Sequence, residues 1–85
     1  MSEVIKKIKN LKNEESLNFV YNDKTYRLKA YNSYDNKIDY AVWGGNGING
    51  MNVSKFSKKY ISLYSYDMMC TRTIYKMSID KISIA

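Results

Sequence analysis

Apolar and polar residues alternate with two different periods along this chain. Val4, Ile5, Ile8 and Leu11 recur at helical spacing, while Lys6, Lys7, Lys9 and Lys12 take the other sides. Ser2 suits the N-cap and Glu3 suits the positive end of the helix macrodipole. The stripe fades at Asn13-Glu14-Glu15, which predicts an amphipathic helix of about three turns. From Leu17 the period becomes two. Leu17, Phe19 and Tyr21 alternate with Asn18 and Val20, and Tyr26, Leu28 and Ala30 alternate with Arg27, Lys29 and Tyr31. Asn22-Asp23-Lys24 between the two runs is a polar turn, so the pair reads as a β-hairpin. Arg27, Lys29 and Tyr31 then share the face opposite the core.

Asn32 to Lys37 is a polar loop centred on Tyr34. Ile38, Tyr40 and Val42 alternate with Asp39, Ala41 and Trp43 in a third strand that runs into the glycines. All four glycines lie between Gly44 and Gly50 and predict a mobile connection between two halves of one sheet. Beyond it, Ser54 is placed to cap a short helix carrying Phe56 and Tyr60. From Tyr60 the period is again two: Ile61 and Leu63 face one way, and Tyr60, Ser62, Tyr64 and Tyr66 the other. Asp67-Met68-Met69 connects to a strand beginning near Cys70, with Thr71, Thr73, Tyr75, Met77 and Ile79 in one phase. Ile82 and Ile84 fall in the opposite phase, which predicts a bulge or turn near Asp80. The expectation is a single α+β domain over residues 1–85: an N-terminal amphipathic helix packed on a mainly antiparallel sheet of about five strands.

Composition narrows the function classes. Fourteen Lys and Arg face eight Asp and Glu, a net charge of +6, with twelve Lys, two Arg, nine Asn and no Pro. Such a field favours anionic partners. The same residues belong to AT-rich codons, so the bias also fits a low-GC bacterium or its phage. Lone Cys70 fits a reducing cytoplasm and a small buried apolar position. No signal peptide and no spanning run of about 18 apolar residues is expected.

Gly45, Gly47 and Gly50 spell G-x-G-x-x-G after a strand. A dinucleotide fold needs several parallel strands with crossover helices around that motif, and this chain has room for neither. With no His, the commonest general base and metal ligand is missing. No metal ligand set, cofactor or catalytic residue is therefore assigned, and the chain is read as a non-enzyme. A small His-free ribonuclease toxin using Tyr, Lys and Arg is the enzymatic alternative.

The aromatics carry more information. Nine Tyr, two Phe and one Trp exceed what so small a core encloses. Aromatics beside Lys or Arg anchor protein interfaces or stack nucleic-acid bases. Arg27, Lys29, Tyr31, Trp43, Tyr60, Tyr64 and Tyr66 are the candidate partner-binding residues. The chain lacks the aromatic signature of an RNA-recognition motif and the loop setting of a KH domain. In size and composition it resembles small accessory proteins of phages and mobile elements, such as anti-CRISPR proteins. That resemblance implies an inhibitor of a host protein or nucleoprotein complex, and it transfers no site residue. Direct nucleic-acid binding is the alternative. The short β-prone run Lys81-Ile82-Ser83-Ile84 could serve as an edge strand, either within the monomer or in a homodimer.

Overall fold

The computed structural model describes residues 2–45, 47–66 and 69–85. It contains a helix α1 (Glu3–Lys9), strands β1 (Ser16–Tyr21), β2 (Lys24–Asn32), β3 (Ile38–Gly44), β4 (Ile48–Phe56), β5 (Tyr60–Tyr66) and β6 (Arg72–Ser78), a 3-10 turn (Ile79–Lys81) and strand β7 (Ile82–Ile84). The α+β expectation holds in outline, but the sheet has seven strands where about five were expected. They form one antiparallel meander in the order β6-β5-β4-β3-β2-β1-β7.

The helix starts where expected. Ser2 Oγ accepts the Ile5 N–H at 3.1 Å. It is two turns long, shorter than its apolar stripe, because the following residues join the sheet. The Glu14 N–H donates to the Ala30 carbonyl, the Ala30 N–H to the Glu15 carbonyl, and the Asn32 N–H to Asn13 Oδ1. These bonds clip the linker to β2 and end the helix at Asn10, its C-cap. Ile5 and Ile8 remain on the buried side and enter the core.

The first hairpin turns on Asn22 and Asp23, with φ of 50° and 63°. Positive φ at both central residues is the twist a two-residue hairpin loop requires, and Asn and Asp tolerate it. The next loop closes with Ser33 N–H donating to the Lys37 carbonyl and leaves Tyr34 fully exposed.

The second half departs from expectation. Ile48–Phe56 is a continuous strand, so neither a long glycine loop nor a helix from Ser54 exists. Gly44 pairs with Ile48, and Gly50 supplies the bulge at which Val42 opposes Met51 while Trp43 opposes Asn49. With φ of 73°, Gly50 allows one extra residue in β4 without breaking the ladder. Asn46 lies outside the described residues. The Ser57 hydroxyl makes the β4–β5 turn: it accepts the Tyr60 N–H at 3.0 Å and donates to the Tyr60 carbonyl. Serine's local bonds favour this turn over a helix.

Asp67 and Met68, expected to connect β5 to the next strand, also lie outside the described residues. Cys70 is exposed with φ of 62°, so the expected buried position is wrong: it lies between β5 and β6, outside both strands. The turn expected near Asp80 is the 3-10 segment, with Asp80 Oδ1 accepting the Ser78 hydroxyl at 2.7 Å. It swings Ile82 and Ile84 onto the core side, where β7 pairs with β1. The C-terminal strand is thus an edge strand inside the monomer.

One face of the sheet holds Phe19, Tyr26, Leu28, Val42, Met51, Ile61, Leu63 and Met77, with α1 packed near β7. The sheet curls around this core far enough for a side chain of β1 to reach the end of β6. The Ser78 N–H on β6 donates to the Tyr21 hydroxyl on β1, and Tyr75 on β6 lies near Tyr26 on β2. Among the described residues no helix is long and apolar enough to cross a membrane.

Candidate interaction surface

Strand pairing places all seven predicted binding residues on the outer face, opposite the core. Arg27 pairs with Trp43, Lys29 with Ala41 and Tyr31 with Asp39; Ala41 pairs with Asn52, and Asn52 with Tyr64. Because side chains alternate across a strand, Tyr60 and Tyr66 share the face of Tyr64. Sequence separation hides this grouping, since the face is assembled from four strands.

The seven differ in what they touch. Tyr31 reaches over β3, and its hydroxyl donates to Asn52 Oδ1 at 2.8 Å. Burial first, then nearby Asp39 and Tyr64, pushes the Tyr31 pKa upward. Trp43, 36% exposed, lies against Gly50, where an added Cβ would stand 3.2 Å from Nε1. Lys29 Nζ is 2.9 Å from Glu14 Oε2, so its charge is already matched. Tyr64 meets Tyr66 edge-on with ring centroids 5.9 Å apart.

The period-two reading missed the cations that complete the site. Arg72 lies over the Tyr64 ring at 5.1 Å, and Lys76 over the Tyr60 ring at 4.6 Å. Each is a cation–π contact between neighbouring strands β5 and β6. Ile74, between them on β6, is 55% exposed. The signal was available. Placing Thr73, Tyr75 and Met77 in one phase leaves Arg72, Ile74 and Lys76 in the other.

Charge is segregated on this face. Its strands carry Arg27, Lys29, Lys55, Arg72 and Lys76 on this face against a single acid, Asp39, while Lys24, the sixth strand cation, is in phase with Tyr26 and Leu28. The other described acids sit in α1, turns and connections. Among the described residues no cluster of His, Cys, Asp or Glu could hold a metal ion. No protein-family model, curated protein or solved structure matches the chain, so nothing is carried over from a relative.

Proposed function

We propose that this chain is a small non-enzymatic binding protein whose outer sheet face docks on an acidic surface of a host protein or nucleoprotein complex and blocks it. An origin in a phage or mobile element, and an anti-CRISPR-like anti-defence role, are part of the same reading. The observation that carries it is the cluster of Trp43, Tyr64, Tyr66, Ile74, Arg72 and Lys76 on one solvent-facing surface. Trp, Tyr and Arg are the side chains that most often dominate interface energy. Exposed apolar groups ringed by cations suit a partner with an apolar centre and an acidic rim.

Direct nucleic-acid binding is the second reading, favoured by the six cations on the strands. The rings argue against it. Arg72 and Lys76 occupy ring faces of Tyr64 and Tyr60 on which bases would stack. Salt separates the two readings. Phosphate binding loses orders of magnitude in affinity as salt rises, and an aromatic-anchored protein interface changes far less. Capture of a bacterial partner at physiological salt by the wild-type chain, lost in Trp43→Ala and Tyr66→Ala, is the expected result. A steeply salt-dependent shift of DNA or RNA, unaffected by those substitutions, would overturn it.

A further inference from the structure

Strand β6 ends the sheet. Among the described residues it pairs with β5 alone, and Arg72 to Lys76 are all exposed. The Ser78 N–H points away from β5, to the Tyr21 hydroxyl, while the Ile79 N–H points toward β5, to the Lys59 carbonyl. In an extended strand, alternate residues direct their N–H and C=O groups to the same side. Arg72, Ile74 and Lys76 therefore offer their backbone groups to the open edge, and Thr73, Tyr75 and Met77 bond to β5. The side chains beside that edge on the outer face run basic, apolar, basic.

We propose that the open edge of β6 accepts an extended acidic segment of a partner as an eighth strand. The added strand would set carboxylates beside Arg72 and Lys76 on the outer face. Its alternate apolar residues would lie beside Thr73 and Tyr75 on the inner face. Main-chain hydrogen bonds supply attraction in this mode of recognition, and flanking side chains supply selectivity. Lys and Arg on an edge strand deter indiscriminate pairing. Here they also choose the sign of the guest, because β4, β5 and β6 contain no acidic residue. A second copy is a poor guest. Antiparallel pairing centred on Ile74 would oppose Arg72 to Lys76, and like charges directly opposite destabilise a ladder. This inference goes beyond the outer-face reading and does not depend on Trp43.

The test is a blocked peptide of alternating glutamate and valine, as long as β6, with a lysine–valine peptide as control. Amide hydrogen exchange should slow at Arg72, Ile74 and Lys76 with the acidic peptide, with little change at Thr73 and Tyr75. Ile74→Pro removes an N–H that faces the open edge and spares the β5 ladder, so it should abolish binding; circular dichroism checks that it folds. The double variant Arg72→Glu, Lys76→Glu should release the acidic peptide and take up the lysine one, a gain that misfolding could not produce. Unchanged exchange at β6, equal binding of both peptides, or a β6-paired dimer that excludes the peptide would each overturn the proposal. Trp43→Ala leaves this assay intact, so its outcome is separable from that of partner capture.

Discussion

The Tyr31 hydroxyl on β2 donates to Asn52 Oδ1 on β4, bridging the strand between them at 2.8 Å. Ala41, in register with both Lys29 and Asn52, is only 5% exposed on that outer face. Tyr31→Phe should lower stability by about 1 kcal/mol, the usual worth of a net hydrogen bond. Asn52→Ala should cost a similar amount, and the double variant less than the sum, because each single change breaks the same bond. Urea denaturation of the four proteins completes the cycle.

Gly44 and Gly47 offer a sharper contrast. Both have positive φ, 126° and 95°. An added Cβ at Gly47 meets nothing within 4 Å, whereas at Gly44 it would stand 2.6 Å from the Thr25 carbonyl oxygen and 2.8 Å from Tyr26 Cα. Gly47→Ala should cost about 1–2 kcal/mol from backbone strain alone. Gly44→Ala should cost clearly more, since paired strand backbone has to move. Thermal melts that rank the two in the reverse order would refute this.

On β6 the same strand offers one core residue and one surface residue. Met77 is fully buried and Ile74 more than half exposed. Met77→Ala should destabilise by about 2–5 kcal/mol, through lost burial and a residual cavity. Ile74→Ala should stay within about 0.5 kcal/mol. A large loss of stability at Ile74 would mean that something covers the proposed docking edge.

Burial raises the pKa of Tyr26, Tyr31 and Tyr40 above the ordinary value of 10.0, with Tyr75 adding at Tyr26 and Asp39 at Tyr31 and Tyr40. A phenol whose folded pKa exceeds its unfolded one contributes stability that is fully present below the unfolded value. That contribution is lost as pH rises through the folded value. Stability should therefore decline above about pH 10. A spectrophotometric titration should show three phenols ionising above the ordinary value of 10.0. Tyr31→Phe should remove one late-titrating phenol.

Strand phase was legible in the sequence because one face is buried: Phe19, Tyr26, Leu28, Ile61 and Leu63 sit on the side their alternation predicts. The hairpin at Asn22-Asp23 was legible because positive φ restricts residue choice. What misled was local chemistry that a longer pairing overrides. Ser54 resembles a helix cap, yet it sits at a register shift while Val53, Lys55 and Phe56 pair with β5, and the real turn belongs to Ser57. The glycines resemble a long loop, yet they take the turn and the bulge that let β3 and β4 pair. The candidate face was half legible. Its Tyr residues and Trp43 stood out by type, whereas Arg72 and Lys76 joined them only through the β5–β6 register.

The strand order also bears on how the chain reaches its native state. Every pairing but one joins strands adjacent in sequence, and the exception brings β7 to β1 from opposite ends of the chain. Local contacts form quickly, and a contact closing so long a loop comes late. The meander from β1 to β6 should therefore assemble first, with Ile82 and Ile84 closing over Tyr21 and Phe19 afterwards. Ile82→Ala should then speed unfolding and leave the folding rate nearly unchanged, which a chevron plot would reveal.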